Sequence, residues 1–347
     1  MRDDRGATRA LQKGSTMFRK LLVVSAVLLT AACGSSPTDT AAPPASAGAP
    51  AANAFPVTVE HKYGSTTVKA EPKRIVLVGL TEQDSLLALG IVPVGVTEWL
   101  KKYEGAINPW AKDKLNGAPL PTVLVDQNGP QFEKIASLRP DLIIGLYSGL
   151  TQEAYDTLTK IAPTVAQPKQ YNDYGIPWQE TTKTVGKLVG KPAEAEKLVA
   201  DAEARIAKAR QDNPKFADAT GLMATMWEGY FVYGSQDPRS RILTSLGFKL
   251  PEKLDEVIGD KFGASISKER VDLLDQSTII WLAATAQEGR TALDGDPLYA
   301  SLKVAKEKRD ILLDESTDVG SAASFISVLS LPILLDALVP QLAKSVG

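Results

Sequence analysis

The chain of 347 residues carries one cysteine, Cys33, and one histidine, His61. A lone cysteine excludes an intramolecular disulfide and a cysteine-based metal cage. A lone histidine excludes the His clusters that hold transition metals. No His, Cys or Lys catalytic constellation is present, and no serine sits in a nucleophile elbow, which argues against an enzyme. Positive charge is not in excess either, with 39 Lys and Arg against 41 Asp and Glu. An acidic chain without a basic stripe argues against nucleic acid as a partner.

What is present begins with residues 17–33, MFRKLLVVSAVLLTAAC. Arg19 and Lys20 precede the apolar run Leu21 to Leu29, and Thr30, Ala31 and Ala32 lead into Cys33. A short apolar core with a basic flank and a small-residue cleavage site reads as a signal peptide over residues 1–32, not as a membrane span. A cysteine directly after the small residues resembles a bacterial lipoprotein signal, which implies acylation of Cys33 and a membrane anchor. Met17 begins a complete signal, so residues 1–16 read as an upstream extension. Residues 33–55, rich in Pro, Ala, Ser and Gly, cannot bury a core and read as a tether. Residues 1–32 hold six basic and two acidic side chains, so 33 basic and 39 acidic ones follow, a net charge near −6. No later segment has the ~18 uninterrupted apolar residues of a membrane helix.

The remaining ~290 residues suffice for two lobes of the usual ~100–150 residues. Hydrophobic residues at 44% and charged residues at 23% are globular values. Short β-rich runs occur at 74–79, 93–97, 122–125, 141–147, 222–227, 277–283 and 310–314, several of them continuously apolar as in parallel strands buried on both faces. Helical stretches such as EQDSLLALG and YDTLTKIA separate them. This alternation predicts an α/β fold of two lobes, each with a mainly parallel sheet flanked by helices. Between the two groups of strands, Pro192 to Arg210 runs without a breaker. Ala195, Leu198, Val199, Ala202, Ile206 and Ala209 form one apolar stripe along it. Such a helix, about 28 Å long, joins the lobes, giving an N-terminal lobe at 56–180, connecting helices at 181–213 and a C-terminal lobe at 214–347. A weak repeat supports related lobes: FEKIASLRPDLIIGL (132–146) aligns with KERVDLLDQSTIIWL (268–282), and LLALGI (86–91) with LTSLGF (243–248). The first lobe carries the longer interval between the two matches.

In this order, EHKYGSTTVKAEPKRIVLVG, DSLLALGIVPVGV, FEKIASLRPDLIIG, VGKLVGKPAEAEKLVADAEARI, ISKERVDLLDQSTIIWL and SVLSLPILLDALVPQLA resemble the binding proteins of ABC importers for iron–siderophores and cobalamin. The resemblance spans residues 57 to 343. It implies two α/β lobes, a ligand cleft between them and little hinge motion. It further implies a monomer outside the cytoplasmic membrane that takes a ferric siderophore to a permease and its ATPase, with no cofactor and iron present only as the chelate. Glu133 and Glu269 fall on the family's permease-docking positions, in the same register of both repeats. A carboxylate there would pair with a permease guanidinium; acidic residues in a first helical turn are also favoured by the helix dipole alone.

Ligands of open α/β sheets sit beyond the carboxyl ends of the strands. Those ends select Trp99, Gln127, Tyr147, Trp227 and Tyr230, with Arg239, Arg241 and Arg290 as donors to iron-bound oxygens. Aromatic rings supply contact area to a bulky chelate at low entropy cost. Gln127 stands where several relatives of this kind carry arginine, which favours a less charged hydroxamate or mixed chelate over a tris-catecholate. His61 reads as structural, and no side-chain metal site is expected. A cobalamin-binding protein of the same fold and a non-transporting surface sensor or adhesion module remain alternative readings.

Overall fold

The computed structural model describes residues 55–99, 102–125, 129–227 and 229–347. The signal segment, Cys33 and the tether up to residue 54 lie outside the described residues. The described chain opens with an antiparallel hairpin, β1 (Val57–His61) and β2 (Gly64–Val68). In β1 the burial alternates residue by residue, so Val57, Val59 and His61 face inward. The sheet of the first lobe follows: β3 (Ile75–Leu77), α1 (Glu82–Ala88), β4 (Gly95–Glu98), β5 (Thr122–Val125), α2 (Phe132–Ser137), β6 (Leu142–Gly145), α3 (Gln152–Leu158) and β7 (Thr164–Ala166). Its order is β5-β4-β3-β6-β7 and every pairing is parallel. The wholly apolar run of β3 and the fully buried LIIG of β6 are what a central strand covered on both faces requires.

Helix α4 (Trp178–Leu188) leads into α5 (Pro192–Asp212), with Pro192 in the first turn of α5. Pro is tolerated there because its missing N–H has no intrahelical partner to lose. A Cβ on Gly186 would lie 2.2 Å from the Ala195 Cβ, so only glycine lets α4 and α5 cross this closely. Ala195 belongs to the apolar core of the first lobe, whereas Val199 and Ile206 belong to that of the second. One helix of 21 residues, about 31 Å long, is therefore built into both cores.

The second lobe holds β8 (Gly221–Met226), β9 (Tyr230–Tyr233), α6 (Pro238–Leu246), β10 (Gly263–Ile266), β11 (Thr278–Ala283) and β12 (Asp310–Asp314) in the order β10-β9-β8-β11-β12. Strands β8, β11 and β12 are parallel, and β9 runs against β8 and β10. The repeat seen in the sequence lands on equivalent places: β6 and β11 each occupy the fourth position of their sheet. The longer interval in the first lobe holds β4, β5 and the 3-10 turns Glu104–Ala106 and Pro109–Leu115, where the second lobe has a short helix and β10. Among the described residues no helix is long and apolar enough to cross a membrane.

Candidate ligand cleft

The strands of the first sheet all end on one edge, and the order reverses at β3, with β4 on one side and β6 on the other. A crevice at such a switch point is where ligands enter α/β sheets. Here a cavity of about 270 Å³ is lined by Val78 and Leu80 after β3, Trp99 after β4, and Ser148 and Gly149 after β6, with Tyr174 closing it. Its wall is held by Glu82 at the start of α1. The buried Glu82 carboxylate accepts from the amides of Leu146 (2.5 Å), Tyr147 (2.8 Å) and Thr81 (3.0 Å). Burial pushes its pKa up, and those amides pull against the rise. A Cβ on Gly79 would come within 2.0 Å of the Glu82 Oε1, so a glycine is needed for this carboxylate to reach the end of β6. The result is a fixed direction for Tyr147, which follows β6.

From Tyr147 a continuous row of rings crosses to the other lobe. Tyr147 meets Tyr174 edge-on at 5.6 Å between centroids, and Tyr174 meets Phe262 at 5.6 Å. Phe262 packs on Phe231 at 5.7 Å, and Phe231 touches Tyr233 and Trp227. Such offset and edge-to-face pairs are the favoured geometries of aromatic packing. Tyr174 has φ +59°, a left-handed backbone that costs energy for a bulky side chain. Its ring lies over Gly149, where a Cβ would come within 3.1 Å. Trp99 and Trp227 are 60% and 58% exposed.

Arg239 lies in this row. Its guanidinium stacks 3.9 Å above the Tyr233 ring, and its Nη2 reaches the Tyr147 hydroxyl at 3.5 Å. Asp237 caps α6 through the Arg239 amide (2.8 Å) and grips the same guanidinium, Nε at 2.7 Å and Nη2 at 2.7 Å. Burial lowers the Arg239 pKa, but Asp237, Tyr233 and Tyr147 more than offset it, leaving it well above its ordinary value. Burial raises Tyr147 and Tyr233, which remain protonated phenols able to donate. The opposite flank is bridged by Lys102, whose ammonium donates to the carbonyls of Glu315 and Thr317 and to Ser321 Oγ at 3.0–3.2 Å. Tyr103 donates to Asp318 beside it. Asp84 ties the lobes together by accepting from Trp110 of its own lobe and Ser327 of the other.

Comparison with known proteins agrees with this architecture. The sequence profile of the periplasmic binding protein family matches residues 75–317. The chain belongs to that family. It is similar to a Bacillus subtilis (strain 168) protein named as the ABC transporter substrate-binding lipoprotein YhfQ, 30% identical over 305 residues, covering 83% of this chain and 88% of the relative. YfiY of the same organism, named as a siderophore-binding lipoprotein, is 30% identical over 279 residues, 76% of this chain and 78% of the relative. The crystal structure of PiaA from Streptococcus pneumoniae TIGR4 in complex with ferrichrome superposes with a TM-score of 0.72 at 27% identity, covering 84% of this chain and 98% of that one. Family members of this kind are substrate-binding proteins, not enzymes.

In this periplasmic binding protein, Trp99 lines the cavity, while Tyr147, Trp227 and Arg239 belong to the row of rings that crosses between the lobes. Arg241 lines a separate cavity beside Tyr171 and Trp178, donating to the Gly175 carbonyl (2.7 Å) and to Gln236 (2.7 Å). Tyr230 does not reach the cleft. Side chains of a strand alternate, so Tyr230 faces Trp281 and Tyr299 on the far side of the sheet while Phe231 and Tyr233 face the cleft. Arg290 is also displaced. Its helix, Ala286–Gly295, runs back down from the end of β11, and Arg290 bonds Asp310 (2.8 Å) at the start of β12. Gln127 lies outside the described residues. Glu133 and Glu269 are exposed and carry no ion pair among the described residues. His61 is buried, bonded to Thr66 (3.0 Å), and burial lowers its pKa. Among the described residues no group of three or more His, Cys, Asp or Glu is placed to hold a metal ion. Sequence reasoning passed over Tyr174, Phe231, Tyr233, Phe262 and Asp237; the alternation of YFVY alone pointed to Phe231 and Tyr233.

Proposed function

We propose that this protein captures a ferric siderophore outside the cytoplasmic membrane and delivers it to the permease of an ABC importer. The observation that carries the reading is the interlobe row of aromatic rings with neutral phenols and Arg239 at its centre. Flat apolar area suits a bulky chelate, and phenol and guanidinium groups donate to its metal-bound oxygens. The resemblance to a protein solved with ferrichrome supports this choice of ligand. In the same reading Cys33 is acylated and anchors the chain to the outer face of the membrane, and Glu133 and Glu269 dock on the permease.

The test is a tryptophan-fluorescence titration, since Trp99 and Trp227 are exposed at the cleft. A preformed ferric chelate, screened among hydroxamates, catecholates and citrate with cobalamin as comparison, is expected to bind tightly. Bare ferric or zinc ions are expected not to bind; nanomolar binding of a bare metal sinks the reading. Replacing Trp227 or Tyr147 by Ala is expected to weaken chelate binding by about 1–3 kcal/mol, the loss of a buried aromatic contact at a hot spot. Unchanged affinity in both folded variants would put the ligand elsewhere.

A further inference from the structure

The charge that Arg239 offers the cleft is already answered. Asp237 is fully buried and holds the guanidinium through two parallel bonds, while the Arg239 side chain is 12% exposed. A bidentate carboxylate both orients the fork and cancels its charge. Nη1 takes part in none of these bonds and is left as a directional donor. The other charged groups facing the cleft do not restore a positive field. Lys102 keeps its charge, since its partners are two carbonyls and a hydroxyl, but the carboxylates of Glu98, Glu315 and Asp318 lie on the same rim and outnumber it. Arg241 points away into a separate cavity beside Glu180 and Glu203, donating to the Gly175 carbonyl and to Gln236.

We propose that Asp237 sets the charge selectivity of the cleft: by neutralising Arg239 it makes the site accept ferric chelates without net negative charge, the trihydroxamate class, and reject triply anionic tris-catecholates. The inference rests on the capture of a ferric chelate argued above. A low-dielectric site strengthens any uncancelled charge, so a chelate carrying three negative charges would face more carboxylates than unpaired cations. A neutral chelate needs donors only, and the phenols of Tyr147 and Tyr233 and Nη1 of Arg239 are donors.

The experiment measures, on the full chain, the affinity ratio between ferrichrome, a neutral ferric trihydroxamate, and a triply anionic ferric tris-catecholate. Wild type is expected to favour ferrichrome. Asp237→Asn keeps an acceptor for the Arg239 amide but uncovers the guanidinium, and is expected to move the ratio toward the anionic chelate by on the order of tenfold to a hundredfold. Arg239→Gln uncovers the carboxylate instead and moves the ratio the opposite way. The double variant, again uncharged as a pair, is expected to return the ratio to near its wild-type value, a restoration that a purely structural cap would not produce. Tighter wild-type binding of the tris-catecholate overturns charge selection while leaving chelate capture intact. An unmoved ratio in both folded single variants overturns the role of Asp237. Failure of every ferric chelate to bind overturns the capture reading itself.

Discussion

Asp84 is a buried carboxylate whose protonation the fold controls. It is buried between the lobes, and its Oδ2 accepts from Trp110 Nε1 (2.7 Å) and Ser327 Oγ, while Oδ1 has no partner among the described residues. Burial drives its pKa up to about 6, against the pull of those two donors. A folded-state pKa above the unfolded one means that the native state binds the proton more tightly. The resulting stabilisation is fully present below about pH 4 and is lost as the pH rises through about 6. Asp84→Asn keeps an acceptor for Trp110 and Ser327 without the charge. The variant is expected to lose the stability change between pH 4 and 6, and to unfold at higher denaturant than wild type at pH 8 with little difference at pH 4. Urea unfolding at the three pH values checks this. A wild-type slope retained by the variant would assign the titration to another group, with Glu82 next in line because burial raises it too.

At the scale of elements, α5 decides whether the lobes behave as one body. Ile206 is 5% exposed and sits in the core of the second lobe, so Ile206→Ala is expected to cost about 2–5 kcal/mol. The exposed neighbour Glu203→Ala is expected to stay within about 0.5 kcal/mol. Thermal unfolding of the two variants gives the comparison; equal losses would mean that α5 lies on the surface of one lobe only. This helix was legible because a stripe repeating every three to four residues needs no partner to be seen. So were β6 and β11, whose continuous apolar runs tolerate only a doubly covered strand. The hairpin β1–β2, the short β7 and the half-polar GASI of β10 were not, since each becomes a strand only when a neighbour pairs with it. The cleft was half legible for a related reason. Strand ends select residues that lie near the edge, and Trp99, Tyr147 and Trp227 follow from that. Which face a side chain takes depends on its parity, which separates Tyr233 from Tyr230, and on the direction of the next helix, which removes Arg290. Tyr174 and Phe262 meet only because two lobes face each other.

For the whole molecule, the proposed capture and delivery fall on different residues and can be tested separately. Glu133 stands in the first turn of α2, and Glu269 in the 3-10 turn Lys268–Leu274, each ahead of the fourth strand of its sheet. The cleft is fixed by Glu82, by the Lys102 bridge and by Arg239, through bonds that involve neither glutamate. Changing both glutamates to Ala is therefore expected to leave chelate affinity unaltered and stability nearly so, because exposed charges contribute little to folding. Uptake is expected to collapse, because a permease guanidinium left without its carboxylate commonly costs about 2–5 kcal/mol at an interface. Lys at both positions is expected to be worse than Ala, since it adds repulsion to the lost attraction. The measurement pairs chelate uptake, in cells that lack the native protein, with binding by each purified variant. Normal uptake by the double Ala variant would return both residues to the role of helix-terminus charges. Lost binding in the purified variant would place them in the cleft. Retained binding with failed uptake is the one result that assigns them to the permease face, and the mirrored positions of the two residues predict that each single Ala variant will show part of that loss.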